Sequence, residues 1–278
     1  MLPTFAGIGA PRSGTTWLSA LLAAHPQVAM PRHRKELHYL DRHHARGLDW
    51  YRSRFPPPGD HPPVAVGEFT THYLYDPQVP VRARDVPGLE RFVLLVRNPV
   101  DRAWSHYRFR CRQDRFAGSF EAFLAVEPRA LVLGRYAEHL AAWTAELEAG
   151  QLLVLVFEQA VAHPPAATAA LGRHLGVDPA GFPAALAPVN ESFRPQRSWL
   201  YAAAVGRARW LRDHDLDGVV SAARRLGLGR AVSARAPEPP ERLDAALRAR
   251  LWEGFAPDVE RLGALTGLDL SGWAPPPS

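Results

Sequence analysis

The amino-acid sequence predicts an α/β fold in which helices flank a central, mostly parallel β-sheet. Short apolar segments of strand length alternate along the chain with segments of helical periodicity. The chain has 278 residues, 47% of them hydrophobic, and can therefore bury a sizeable core. We expect one compact domain over residues 1–278, ending in a helical segment that starts near residue 241.

Each element follows from its local pattern. The predicted strands are Thr4 to Gly9, Val64 to Phe69, Arg91 to Val96 and Leu152 to Phe157, with a further short strand near Val28. The predicted helices are Thr15 to Ala24, Val100 to Arg110, Phe120 to Ala125, Arg135 to Leu147 and Pro165 to Leu175, followed by a C-terminal helical segment from Glu241 to Leu265. Two Pro-rich stretches, Phe55 to Pro63 and Ala236 to Pro240, are predicted to be loops.

The first strand runs into Gly9-Ala-Pro-Arg-Ser-Gly-Thr-Thr16, which is built like a phosphate-binding loop. Gly9, Gly14 and Thr16 match the Walker A spacing, but Thr15 stands where the lysine for the β and γ phosphates belongs. Arg12 offers instead a planar, permanently charged fork that suits a terminal phosphate or sulfate. The alternative is an ordinary strand-to-helix turn whose glycines only relieve backbone strain.

A second anion motif begins where the Arg91 to Val96 strand ends. Arg97 follows the strand, Pro99 suits the first turn of the next helix, and Ser105 lies on that helix. Ligands of open α/β sheets bind beyond the carboxyl ends of the strands, where both motifs begin. Arg97 and Ser105 can therefore converge on a second phosphate.

Together the two motifs resemble those of the sulfotransferases. Residues 11–17 (Pro-Arg-Ser-Gly-Thr-Thr-Trp) look like their 5'-phosphosulfate loop, and Arg97 with Ser105 resembles their 3'-phosphate pair. The resemblance implies a P-loop NTPase-like three-layer fold and 3'-phosphoadenosine 5'-phosphosulfate (PAPS) as co-substrate, with adenosine 3',5'-bisphosphate as product. It implies a donor site made of Arg12, Ser13, Gly14, Thr15, Thr16, Trp17, Arg97 and Ser105. Arg197 is a further candidate, because the family places a 3'-phosphate contact in a C-terminal loop.

The acceptor side resembles the heparan sulfate sulfotransferases and their bacterial relatives. The similar segments are residues 35–41 (Lys-Glu-Leu-His-Tyr-Leu-Asp), 47–51 and 67–75. The resemblance implies Glu36 as general base, with His38 as the alternative base or an orienting partner, and Arg12 as a catalytic cation. Glu36 could instead be a solvated acid paired with a neighbouring cation. Phe69 departs from the pattern, because the heparan enzymes usually carry lysine there.

These motifs predict transfer of a sulfonate group to a hydroxyl or amine of a carbohydrate or small metabolite. A P-loop small-molecule kinase is the alternative, but it needs a lysine in the loop, and the sole lysine, Lys35, lies outside it. A non-catalytic anion-binding protein with this fold is a third possibility. The histidines at 25, 33, 38, 43 and 44 have mixed spacings and no nearby cysteines, so we expect no metal site.

Composition narrows the class of partner and the compartment. The formal net charge is +5, but the arginines are spread along the chain with acids between them, so we expect no nucleic-acid partner. A single cysteine, Cys111, allows no internal disulfide. Residues 2–10 are too short to span a bilayer, and we expect no membrane anchor of the kind carried by Golgi members of the family. The expectation is a bacterial cytoplasmic protein.

Overall fold

The structure, a computed structural model, describes residues 1–32, 34–57, 59–112, 116–183, 193–195, 233–235 and 243–275. The chain forms two compact units, the first made of Met1–Ala103, Pro128–Val189 and Leu243–Ser278, and the second of Trp104–Glu127 and Asn190–Arg242. Arg197 and the predicted loop from Ala236 to Pro240 lie outside the described residues. A single domain over the whole chain stays a prediction.

Five parallel strands form the sheet of the first unit. They are β1 (Phe5–Gly9), β2 (Val28–Ala29), β3 (Ala65–Phe69), β4 (Arg91–Val96) and β5 (Leu152–Val156). Their order is β2-β3-β1-β4-β5, with Phe5 of β1 in register with Gly67 on one side and Arg91 on the other. All five predicted strands, including the short one at Val28, are confirmed.

The helices of the described chain are α1 (Thr15–Ala23), α2 (Gly47–Arg52), α3 (Gln78–Ala83), α4 (Pro99–Arg112), α5 (Phe120–Val126), α6 (Arg129–Val132), α7 (Tyr136–Leu140), α8 (Thr144–Glu148), α9 (Phe157–Ala162), α10 (Pro164–Leu175) and α11 (Ala245–Thr266). Each predicted helix appears at its expected place except the one from Arg135 to Leu147. The C-terminal helix starts at Ala245, because the Asp244 carboxylate caps its first turn by accepting from the Leu247 N–H.

The prediction of one helix from Arg135 to Leu147 is wrong. This stretch forms α7, a 3₁₀ turn at Ala141–Trp143, and α8. Trp143 leaves helical geometry at φ −111° and ψ 13°, and its fully buried ring packs at 5.0 Å on that of Phe92 in β4. Burying the largest side chain of the segment against the sheet outweighs the cost of interrupting the helix.

Apolar side chains leave the sheet on both faces, so the core of the first unit has two parts. In β4, Phe92 and Leu94 point into one cluster while Val93 and Leu95 point into the other, as the two-residue period of a strand requires. Helices α1 and α10 contribute to the second cluster, and α3, α7 and α11 to the first. Helices on both faces of a parallel sheet make the predicted three-layer arrangement.

The second unit contains most of α4, the whole of α5 and an aromatic cluster. The rings of the cluster are those of Trp104, Tyr107, Phe116, Phe120 and Phe123. An antiparallel ribbon pairs β6 (Phe193–Pro195) with β7 (Ser233–Arg235). Within the described parts of the chain, we find no helix whose length and hydropathy would allow it to cross a bilayer.

Candidate active site

The loop between β1 and α1 has a backbone that needs glycine at one position. Gly14, the N-cap of α1, has φ 88°, and a Cβ placed on it would lie 2.3 Å from the ring of Phe157. Gly14 also has no side chain with which to cap α1, so the start of the helix is left to other partners. Arg12 has φ 71°, one of only two positive φ angles at non-glycine residues in the described chain. Such strain is concentrated at functional sites.

Arg97 of the second anion motif lies directly against this loop. Nη1 of Arg97 donates to the carbonyl oxygen of Arg12 at 3.4 Å, and the Arg97 guanidinium lies 5.1 Å from the centroid of the Phe157 ring. The Tyr136 hydroxyl donates to the Arg97 carbonyl at 2.9 Å, which fixes the end of β4. The fold thus brings Arg12 and Arg97, 85 residues apart, to one place at the carboxyl edge of the sheet.

The other predicted donor residues differ in their placement. Ser13 is fully buried, so its side chain faces the interior. Thr15, also buried, and the half-buried Thr16 and Trp17 form the first turn of α1.

Two predicted donor contacts are not described within this site. Ser105 lies on α4 in the second unit, and Arg197 is outside the described residues. Their contacts with the donor remain predictions.

Lys35 lies outside the loop in sequence, but its side chain contacts the loop in the structure. Its Nζ donates to Thr15 Oγ1 at 2.9 Å and lies 5.3 Å from the centroid of the Phe69 ring. Burial lowers the pKa of Lys35, the Glu36 carboxylate opposes this, and the Arg12 charge adds to it, for a pKa of about 8. The ammonium is therefore protonated near neutral pH, but its surroundings favour the charged form less than water does.

Glu36, His38 and Asp41 form a hydrogen-bonded chain. His38 Nδ1 lies 2.9 Å from an Asp41 oxygen, and His38 Nε2 lies 3.5 Å from Glu36 Oε2. The Thr71 hydroxyl donates to the other Glu36 oxygen at 2.9 Å. His38 is buried and has φ 55°, the second non-glycine residue with a positive φ among the residues that the structure describes. Asp41 thus orients the imidazole between two carboxylates.

The contacts of this hydrogen-bonded chain favour the charged forms of both Glu36 and His38. Burial raises the pKa of Glu36, but hydrogen bonds from His38 and Thr71 and the charge of Lys35 outweigh it and lower the pKa to about 2. Burial lowers the pKa of His38, but its contacts with Asp41 and Glu36 outweigh this and raise the pKa above 6.5. Glu36 and His38 therefore each stabilise the charged form of the other.

Glu68 of β3 lies beneath the segment that carries Glu36 and His38. Its fully buried carboxyl group accepts from the Tyr73 hydroxyl at 2.5 Å, the Tyr51 hydroxyl at 3.0 Å, Thr70 Oγ1 at 2.5 Å and the Leu37 N–H at 3.2 Å. Burial raises the pKa of Glu68 despite these bonds. Because Leu37 lies between Glu36 and His38, Glu68 anchors the segment that carries both.

His72 is a third titratable group beside this chain. Its ring centroid lies 6.1 Å from that of His38, and its Nδ1 is 3.3 Å from Thr71 Oγ1. Burial lowers the pKa of His72, which favours the neutral imidazole. His25, by contrast, packs on Phe182 and bonds the Asp178 carbonyl at 2.7 Å through Nε2.

The profile of the family described as "Sulfotransferase domain" matches residues 7–192 of this chain. The chain belongs to the sulfotransferase domain family. The match spans more than half of the chain and includes the β1–α1 loop, Arg97 and the Glu36–Asp41 segment. The predicted family is therefore confirmed, and the kinase and binding-only alternatives are not favoured.

Curated relatives of this sulfotransferase point to the same family. The human bifunctional heparan sulfate N-deacetylase/N-sulfotransferase 3 is 28% identical over 197 residues, which cover 64% of this chain and 23% of that protein. The membrane-associated sulfotransferase kil1 of Dictyostelium discoideum is 35% identical over 109 residues, covering 39% of this chain and 23% of that protein. The chain thus matches about a quarter of the length of these relatives.

A solved sulfotransferase from Alicyclobacillus acidocaldarius shares the fold along nearly the whole chain. The two superpose with a TM-score of 0.70 at 24% identity, covering 98% of this chain and 99% of that one. The P-loop NTPase-like α/β fold predicted from the sequence is therefore confirmed.

Sequence reasoning missed three features of this sulfotransferase site. The contacts of Lys35 with Thr15, of Thr71 with Glu36 and of Phe157 with Gly14 all join residues from different elements. The only local signal for the contact of Lys35 with Thr15 was Phe69, which stands where the resemblance predicts a lysine. A lysine expected at one position can be supplied from another. Nothing in the local sequence marks Thr71 or Phe157.

Proposed function

We propose that this sulfotransferase transfers the sulfonate of PAPS to a hydroxyl or amine group of an acceptor. The observation that carries the proposal is the contact of Arg97 with the Arg12 carbonyl, which joins the two anion motifs at one edge of the sheet. PAPS carries a phosphosulfate on the 5' position and a phosphate on the 3' position of one ribose. Two adjoining cationic subsites suit such a donor better than the single triphosphate chain of ATP.

The residues present fit this donor. In the proposal, the first turn of α1 and the Arg12 guanidinium hold the 5'-phosphosulfate, and Arg97 holds the 3'-phosphate. Gly14 supports the fit, because its φ of 88° makes the turn from the loop into α1, and the N–H groups at the start of that helix can bind an anion. Bound PAPS supplies an activated sulfonate, and adenosine 3',5'-bisphosphate is the product.

The reaction is an in-line displacement at sulfur. A bond forms between the acceptor oxygen or nitrogen and sulfur, while the bond from sulfur to the bridging 5'-phosphate oxygen breaks and leaves its electron pair on the phosphate. The acceptor proton passes to a base of the protein. Arg12 stabilises the charge that forms on the leaving phosphate. In this scheme side-chain cations, rather than a metal ion, neutralise that charge.

Glu36 is the proposed base. Its carboxylate is ionised at neutral pH, about one third of its side-chain surface is exposed, and it lies next to Lys35, which contacts the loop. His38 and Asp41 hold the carboxylate in place, which makes His38 a positioning residue in this scheme. A pKa of about 2 is low for a base. We therefore expect Glu36 to take up the acceptor proton once the acceptor has replaced one of the groups that donate a hydrogen bond to the Glu36 carboxylate.

The acceptor is proposed to be a carbohydrate or a small metabolite. A carbohydrate is supported by the matched segment of a human protein whose name includes heparan sulfate N-sulfotransferase. We propose a bacterial, cytoplasmic protein, in keeping with the bacterial source of the solved neighbour and with the finding on membrane-crossing helices.

Calorimetric titration tests the donor assignment. We expect adenosine 3',5'-bisphosphate to bind, and ATP with magnesium to bind far more weakly, because only the first ligand fills both subsites. Transfer of labelled sulfonate from PAPS to a panel of sugars and phenols then tests the reaction. Equal affinity for the two nucleotides would contradict the proposal.

A further inference from the structure

The single lysine of this chain lies at the phosphate-binding loop although it is 20 residues beyond it in sequence. The Lys35 ammonium donates to Thr15 Oγ1 at 2.9 Å, and Thr15 is the first residue of α1. It also lies 5.3 Å from the centroid of the Phe69 ring. The ammonium therefore lies where the loop runs into the first turn of α1.

The electrostatics of this position favour an anion. Arg12 and Lys35 repel each other, which is one cause of the lowered pKa of Lys35, and the positive end of α1 adds to the same field. Glu36 is the facing group that stabilises the ammonium, while Thr15 and Phe69 are uncharged. A bound anion between the two cations removes their repulsion and keeps both protonated.

We propose that Lys35 is a catalytic cation of the 5'-phosphosulfate subsite, contacting donor oxygens together with Arg12. This inference rests on the proposed function and adds a residue to it. Lys35 stays protonated throughout the transfer. Its ammonium donates hydrogen bonds to the phosphate on which the electron pair of the broken sulfur–oxygen bond is left, and the acceptor proton goes to the separate base.

The proposal explains the two departures of this chain from the lysine pattern. The loop has Thr15 at the Walker lysine position, and β3 ends with Phe69 where the heparan enzymes usually have lysine. Lys35 reaches Thr15 and Phe69 at once, so one side chain from a third position supplies the missing ammonium.

A single lysine makes the test direct. Protein labelled with ¹³Cε-lysine gives one side-chain signal, and its titration midpoint reports the protonation of Lys35 without any turnover. We expect a midpoint near pH 8 in the free protein and a rise of about one pH unit or more with adenosine 3',5'-bisphosphate or adenosine 5'-monophosphate bound. Adenosine 3'-monophosphate, which has no 5'-phosphate, is the control and should leave the midpoint nearly unchanged.

Two variants give a second readout. Lys35→Met should weaken binding of adenosine 3',5'-bisphosphate roughly 10- to 100-fold at pH 7 and abolish the loss of affinity that the wild type shows above pH 8. Lys35→Arg keeps the charge and should retain most of the affinity. If Lys35→Met does not fold, the wild-type signal alone decides.

The outcomes separate this inference from the proposed function. A wild type that binds the bisphosphate tightly while its lysine signal does not move, or a folded Lys35→Met variant that binds like the wild type, overturns the role of Lys35 and leaves the donor assignment intact. A wild type that binds no bisphosphate overturns the donor assignment, and the role of Lys35 with it.

Discussion

The guanidinium of Arg97 donates to the carbonyl oxygen of Arg12 at 3.4 Å, so the cation of one anion motif bonds the backbone of the other. The contact joins the carboxyl ends of β1 and β4, which are neighbours in the sheet. A strained residue at φ 71° is stabilised in this way, because its carbonyl oxygen gains a charged donor. Binding at the two subsites is therefore expected to be coupled.

Arg97→Ala should reduce the discrimination between adenosine 3',5'-bisphosphate and adenosine 5'-monophosphate. The proposed bond to the 3'-phosphate is a hydrogen bond to a charged group, worth about 1.5–3 kcal/mol of binding free energy. Calorimetry with both nucleotides measures the difference. Arg97→Lys, which keeps the charge, should show a smaller loss. Unchanged discrimination in Arg97→Ala would remove Arg97 from the 3'-phosphate site.

Glu36→Gln should lower kcat by roughly 10² to 10⁴, the usual contribution of a positioned base, with little effect on binding of adenosine 3',5'-bisphosphate. The amide retains the size of the carboxylate but not its basicity. Thr71→Val, which removes the hydroxyl that donates to Glu36 and contacts His72 but keeps the carboxylate, is the control and should have a smaller effect. A Glu36→Gln enzyme with near-normal turnover beside an inactive, donor-binding His38→Ala enzyme would assign the base role to His38.

The Glu36–His38 pair should make stability depend on pH in a defined window. The pKa of Glu36 is lowered from 4.5 to about 2, so its stabilisation is present above pH 4.5 and is lost as the pH falls towards 2. The pKa of His38 is raised from 6.5, so its stabilisation is complete below pH 6.5 and is lost as the pH rises through the folded-state value.

His38→Gln should therefore be most destabilising between about pH 4.5 and 6.5 and less so at pH 9. Urea unfolding of both proteins at pH 5.5 and pH 9 measures this difference. A stability difference that grows with pH would show that the pair is not ionised as the contacts indicate.

Gly14→Ala should destabilise the protein and weaken binding of adenosine 3',5'-bisphosphate. Alanine at φ 88° is strained, and its Cβ would overlap the Phe157 ring at 2.3 Å. The matched control is Gly88→Ala, because Gly88 has φ 83° and no atom within 4 Å of the added Cβ. We expect Gly14→Ala to cost about 1–3 kcal/mol more in unfolding free energy than Gly88→Ala. Only Gly14→Ala should change nucleotide affinity.

Secondary structure followed from the sequence where the local pattern was strong. Apart from the exposed Arg91, the strands Arg91–Val96 and Leu152–Val156 are continuous, mostly buried apolar runs, a pattern that indicates a sheet covered on both faces. Arg135 to Leu147 was the exception. Its helical pattern is real, but the burial of Trp143 against Phe92 is a tertiary effect that no local pattern contains.

The sequence by itself determined the family, the sheet with its two covered faces, and the position of the β1–α1 loop, because these depend on short-range spacing of glycine, arginine and apolar side chains. Tertiary structure alone decided that Lys35 contacts Thr15 and that Glu68 is buried under the segment of Glu36 and His38. Those contacts join separate elements, and the distance between two side chains on different elements depends on the order and register of the strands. Hydrogen bonds, burial and neighbouring charge then set the pKa values of the site, so its acid–base chemistry is a property of the folded chain.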